Sequence, residues 1–334
     1  MAETVNIGEI ANKLSEELFE IFFWKSHPKR DENFKCTDPA HLSDGVKPKQ
    51  KATHPGDVVF YYNDPYLGRR VYLHTDLKSY SKGTIGPVKL RSALKSLAMS
   101  VECARQSAEY RTIYSIPDDE NFEIKGLLFV HNHDHKYKGS FEEAIAKTDL
   151  STIPIAPHVY IHFLGPVDID RLFTISNDVM RLKYQKLLPE DYSFYYPDLV
   201  MWRRHGDVWG QPATIEALTA PYFIIKYLST EKTDPGYIIY YNRQGASVEE
   251  FEYLLDSLSR YQMLEPDEQI RIRIVHSDPD SNYKSNFFSA ANKYAKAWGF
   301  EPKRQEILES IKIEQITAVS TSYALSDMGW RDEK

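Results

Sequence analysis

Residues 69 to 81 read Arg-Arg-Val-Tyr-Leu-His-Thr-Asp-Leu-Lys-Ser-Tyr-Ser, and this run constrains the fold more than any other. It has the pattern of a β-strand, along which successive side chains face opposite ways. Val71, Leu73 and Leu77 then share one face and are expected to pack on a core. Tyr72, His74, Asp76 and Lys78 share the other, so a carboxylate and an ammonium two residues apart point the same way. A second acid, Asp57, stands 19 residues upstream at the head of the apolar run Val-Val-Phe-Tyr-Tyr. The connector Asn63-Asp64-Pro65-Tyr66-Leu67-Gly68 suits a hairpin turn between the two strands. Two acids and a lysine gathered on paired strands can hold a hard divalent cation and polarise a water molecule.

The surrounding elements follow from apolar spacing. Residues 6 to 24 carry Ile7, Ile10, Ala11, Leu14, Leu18, Ile21 and Phe22 at helical intervals, with Glu17 at the border of that stripe. The polar stretch from about 26 to 55 has little periodicity and reads as a long surface loop. After Gly86-Pro87 a helix is expected to about residue 108, its proline suited to the first turn. The strand Gly-Leu-Leu-Phe-Val-His, residues 126 to 131, closes an order of helix, strand, strand, helix, strand. Further on, 158 to 164 reads as a strand and 168 to 187 as a helix, and 191 to 212 is rich in Tyr, Trp and Arg without a clear period. From about 215, strands alternate with helices, one of them opening on the capping box Ser247-Val-Glu-Glu250.

On these residues the first 135 or so positions resemble the PD-(D/E)xK nuclease superfamily. Asp57, preceded by Pro55-Gly56, matches the family's first acid, and Asp76-x-Lys78 matches the second half-motif. Gly-Asp stands where the family commonly has Pro-Asp. The resemblance implies an α/β protein: an N-terminal restriction-endonuclease-like mixed sheet flanked by helices, within residues 1–150. The resemblance says little of the rest, which is read from its own pattern as a connecting aromatic-rich segment, 151–214, and a C-terminal α/β regulatory or partner-binding domain, 215–334. The resemblance also implies metal-dependent phosphodiester hydrolysis of nucleic acid, DNA in preference to RNA. Asp57 and Asp76 would ligate Mg²⁺ or Mn²⁺ with the Leu77 backbone carbonyl, and Glu17 would add a ligand directly or through water. Lys78 would act on the attacking water or the phosphate. A nuclease joined to a separate α/β domain is similar in architecture to the effectors of bacterial antiviral defence.

Other features bound these expectations. Six basic residues, Lys78, Lys82, Lys89, Arg91, Lys95 and Arg105, face a single acid, Glu102, between 78 and 105. Lys89, Arg91 and Lys95 are therefore candidates for binding the substrate's phosphates. The net charge of -7 argues against a general nucleic-acid coat protein but leaves room for a local basic channel. Cys36 and Cys103 are too few for a disulfide scaffold and lack zinc-site companions at a useful spacing, which points to a reducing cytoplasm. No apolar run approaches membrane-spanning length. Two alternatives stand beside the nuclease: a non-catalytic recognition subunit that keeps the fold, and a histidine-metal hydrolase using His131-Asn-His-Asp-His135. The aromatic stretch with Trp202, Arg203, Arg204 and Trp209 could stack bases or pack a seam. The C-terminal domain is expected to bind a partner protein, a nucleotide signal or a second copy of the chain, and the protein to be a homo-oligomer or a complex subunit.

Overall fold

The hairpin forms where its turn residues place it. In the computed structural model, β4 (Val58–Asp64) and β5 (Arg69–Tyr80) pair antiparallel, with Val58 opposite Thr75 and Asp64 opposite Arg69. Asp64 makes the turn: its Oδ1 accepts from Tyr66 N at 2.9 Å and Leu67 N at 2.8 Å, and its carbonyl accepts from Gly68 N. Gly68 closes it at φ 58°, a left-handed conformation that favours glycine. The structure describes residues 18–43, 47–151, 153, 155–197, 209–229, 232–265, 268–297, 299 and 302–317. They belong to two compact units that divide between Asp170 and Arg171.

In the first unit the sheet order is β1-β4-β5-β6-β7. β1 (Lys25–Ser26) lies antiparallel to β4; β6 (Phe122–Asn132) and β7 (Ile161–Leu164) continue the sheet parallel to β5. The link from β5 to β6 contains α1 (Pro87–Gln106) and a short α2 (Ala108–Ile113), which Ser107 caps by accepting from Tyr110 N. α1 buries Leu90, Ala93, Leu94, Leu97, Val101 and Ala104, a stripe at helical spacing. Gly126 lets this helix lie close on the sheet, because a Cβ there would sit 3.0 Å from Val101 Cγ2.

Both faces of β5 are covered, not the Val71 face alone. Tyr72 and His74 are as buried as Val71 and Leu73, since α1 and α2 cover their side of the sheet. On the reverse face Phe19 packs on Phe60 and Phe129, with Trp24 stacked on it. β5 is buried from Val71 to Thr75 and half-buried at Arg69 and Arg70 and again from Asp76 onward, so the acid-bearing C-terminal end reaches solvent.

Two expectations need correction. The first helix does not continue to residue 24: positions 18 to 20 are helical, 21 to 23 form a turn with Phe23 at φ 63°, and the chain enters β1. Residues 26 to 55 are not one structureless loop. β2 (Glu32–Lys35) pairs antiparallel with β3 (Thr53–Gly56), and Leu42 bridges Gln50. Short polar strands of this kind carry no periodic signal. A further short helix, α3 (Phe141–Ala146), is capped by Ser140. α4 (Pro166–Tyr184) follows β7.

The second unit holds the sheet β12-β11-β10-β9-β8. β8 (Tyr192–Phe194) and β9 (Tyr222–Tyr227) run antiparallel to their neighbours, whereas β10 (Gly236–Tyr241), β11 (Gln269–Ile274) and β12 (Lys312–Gln315) are mutually parallel. Thr214 caps the short α5 (Ile215–Thr219). α6 (Val248–Arg260) buries the expected Phe251, Leu254, Leu255 and Leu258. Ser247 caps it, but the Glu250 carboxylate accepts from Gly245 N and Ala246 N. α7 (Tyr283–Ala297) ends before Gly299 at φ 72°, and α8 (Pro302–Ser310) leads into β12. Beneath the sheet, Arg273 on β11 holds Asp178 of α4 through two contacts, Nη2–Oδ1 at 2.6 Å and Nε–Oδ2 at 2.5 Å. Tyr240 Oη donates to the same carboxylate at 3.0 Å. Among the described residues no helix is long and apolar enough to cross a membrane.

Candidate active site

Asp57 occupies the single residue between β3 and β4, and extending the β4–β5 register by one step sets it opposite Asp76. Opposed residues of an antiparallel pair share a face. The side chains meet there. Asp57 Oδ2 accepts from Leu77 N at 2.7 Å, and the Asp76 carboxylate lies close enough to interact with it directly. Lys78 Nζ forms an ion pair with Asp76 Oδ1.

The electrostatics follow from this crowding. Burial and the Asp76 charge push the Asp57 carboxyl above its ordinary value, against the opposing pull of the Leu77 N–H and Lys78. Burial alone would lower the Lys78 ammonium. Asp76, joined by Asp57, outweighs it and holds the group above the usual lysine value. Lys78 therefore stays an ammonium at neutral pH. Two half-buried carboxylates at one point form a hard oxygen donor set with surplus negative charge, which fits a divalent cation.

His74 and Gly56 were not singled out by sequence as site residues, yet they set the approach to Asp57. His74 is buried, and burial lowers its pKa to about 4. Its Nε2 lies 3.1 Å from the Pro55 carbonyl, which can only accept, so Nε2 carries the proton. Nδ1 then accepts from the Tyr110 hydroxyl at 3.3 Å. Gly56 passes over this ring: a Cβ would meet His74 Cε1 at 2.9 Å and the Tyr114 hydroxyl at 3.0 Å. That packing explains Gly-Asp in place of Pro-Asp. Strand alternation had put His74 on the Asp76 face, and that was the one available signal.

The other expected residues fall as follows. Glu17 lies outside the described residues. Lys89 is exposed in the first turn of α1, a turn without acids, and Arg91 and Lys95 are half-buried farther along the helix. The run 131 to 135 does not gather three ligand atoms around a common point among the described residues. His133 Nδ1 sits 3.3 Å from Ser79 Oγ. Asp134 accepts from Lys82 N, Asn132 Nδ2 and Lys136 N, tying the loop to the chain after β5. In the aromatic stretch, Trp202, Arg203 and Arg204 lie outside the described residues, and Tyr192 and Phe194 are core residues of the second unit.

A hairpin, a helical crossover and a parallel strand, carrying Asp57 and Asp76-Leu77-Lys78 at one end, define a nuclease domain of the PD-(D/E)XK class. Residues 1–168 of the 334 match the family model of the GAPS4 protein PD-(D/E)XK nuclease domain, and the chain belongs to that family. No curated protein and no solved structure matches the chain.

Proposed function

We propose that the chain hydrolyses phosphodiester bonds in nucleic acid, DNA in preference to RNA, with Mg²⁺ or Mn²⁺ held by Asp57, Asp76 and the Leu77 carbonyl. The observation that carries this reading is the meeting of Asp57 and Asp76 at the open end of a buried strand, with Lys78 on Asp76. Glu17 completes the ligand set in this proposal. A cation bound there would polarise the attacking water and the scissile phosphate. Lys78, kept protonated, donates to the water or to charge growing on the phosphate; it is not the base. Leu77 N–H holds one Asp57 oxygen in place while the strand pairing aims both acids at the same point. Lys89, Arg91 and Lys95 bind phosphates along α1.

The second unit serves as the regulatory or partner-binding part. An open aromatic cleft supports this assignment; Tyr195, Tyr222, Tyr241, Tyr253, Tyr261 and Arg243 are among the residues lining it. In the cell the protein acts as a nuclease effector of antiviral defence, alone, as a homo-oligomer or within a complex.

The test is cleavage of duplex DNA and of RNA by the full chain with Mn²⁺, Mg²⁺ or EDTA. Asp76→Ala is expected to abolish cutting. Lys78→Met should bind Mn²⁺ normally yet lower kcat by roughly 10²–10³, the scale for losing one transition-state donor. Protein that binds Mn²⁺ and nucleic acid but cuts neither DNA nor RNA would instead be a recognition subunit.

A further inference from the structure

His54, three residues before Asp57, is one of four side chains that converge without a role in the site above. Cys36 follows β2, His41 lies in the loop beyond it, His54 is on β3 and Cys103 is on α1. One ligand atom of each lies within 4.8 Å of the others. His41 Nδ1 is 3.5 Å from Cys36 Sγ, 3.3 Å from Cys103 Sγ and 3.4 Å from His54 Nε2. The two sulfurs are 3.9 Å apart.

These spacings match the edges of a zinc tetrahedron. With Zn–S of about 2.3 Å and Zn–N of about 2.05 Å, a regular tetrahedron sets sulfurs about 3.8 Å apart, nitrogens about 3.4 Å apart and mixed pairs about 3.5 Å apart. A disulfide needs sulfurs at about 2.04 Å, far shorter than found here. The surrounding groups orient the ligands as well. Glu102 Oε2 lies 3.2 Å from His41 Nε2; a proton on Nε2 leaves the Nδ1 lone pair toward the sulfurs. Ser100 Oγ lies 3.4 Å from His54 Nδ1, which leaves Nε2 as the ligand atom. Thr37 directs its N–H and hydroxyl at Cys103 Sγ, at 3.5 and 3.4 Å, donors that favour a thiolate. His41, His54 and Cys103 are buried. Two thiolates would neutralise a divalent ion, so burial leaves no net charge stranded. Soft sulfur and imidazole select zinc over magnesium or calcium.

We infer that Cys36, His41, His54 and Cys103 bind one Zn²⁺ in a closed structural centre that pins β3 to α1. Binding releases the two thiol protons and involves no change of oxidation state. Four protein ligands leave no open position, so the ion is structural. Its consequence for the nuclease is positional, because His54 precedes Asp57 by three residues on the strand that delivers it. The earlier expectation that the cysteines lack zinc companions fails in space: the four ligands are spread from 36 to 103 and form no compact sequence motif.

Full-length protein, dialysed against metal-free buffer and assayed by mass spectrometry for metals, is expected to retain one zinc per chain. Asp57→Ala with Asp76→Ala should keep that zinc, and Cys103→Ser should lose it. Cobalt exchanged into the wild-type protein should give the visible absorption of a tetrahedral thiolate–imidazole site, a readout that does not depend on any variant folding. Wild-type protein without zinc and without that cobalt spectrum would overturn the inference. So would a Cys36–Cys103 disulfide in the native protein, or full zinc content in Cys103→Ser.

Discussion

At Asp57, burial and the Asp76 carboxylate favour the protonated acid, whereas the Leu77 N–H and the Lys78 ammonium favour the charged one. The balance raises its folded-state pKa above the ordinary 3.8. The stability linked to such a group is full below its unfolded value and is lost as pH rises through the shifted one. Metal-free Asp57→Asn is therefore expected to melt above the wild type at neutral pH, with the gap closing on acidification below the ordinary carboxylate range. Mn²⁺ should raise the wild-type midpoint more than the variant's. Melting curves across pH, with and without Mn²⁺, read both effects. A variant that melts at or below the wild type at neutral pH without metal would remove the argument from electrostatic crowding.

Among the elements, β3 depends on close packing as well as pairing. Gly56→Ala would place a methyl group against His74 and Tyr114, and overpacking of this kind costs about 1–3 kcal/mol. The expected result is a lower urea midpoint together with slower cleavage, since any outward shift of β3 carries Asp57 with it. Unchanged cleavage would mean that Asp57 is positioned from β4 alone. The same strand shows what could be read from the sequence. α1 was legible because Leu90, Leu94, Leu97 and Val101 recur at helical spacing, and β5 because its side chains alternate. β2 and β3 were not, being four residues each with mixed polarity, and their order comes from distant groups such as Ser100, Glu102 and His74. α2 and α8 were missed because each is short and follows directly on a stronger signal. Asp57, Asp76 and Lys78 were legible as a constellation. The role of His74 was not, because its partner is a backbone carbonyl.

Over the whole molecule, the second unit stakes part of its stability on one buried ion pair. Asp178 takes Arg273 and Tyr240, and Arg273 Nη1 also reaches Glu314 at 2.6 Å. Breaking a buried pair by removing one partner costs about 3–5 kcal/mol, while replacing both with apolar residues of similar volume is often near neutral. Asp178→Ala is thus expected to lower the urea midpoint sharply, and Asp178→Leu with Arg273→Met to recover most of it. Failure of the double variant to recover would assign the pair a wider structural role.

Cys36 and Cys103 meet across 67 residues, with both acids and Lys78 lying between them in the chain. With the proposed zinc in place, the steadying of Asp57 waits on synthesis of the far end of α1. A ribosome-bound or prematurely terminated product that stops short of Cys103 already possesses every side chain proposed for catalysis, yet lacks the proposed clamp that would hold the first acid steady. Under the proposed function, the residues for cutting are made early and the brace that aligns them late.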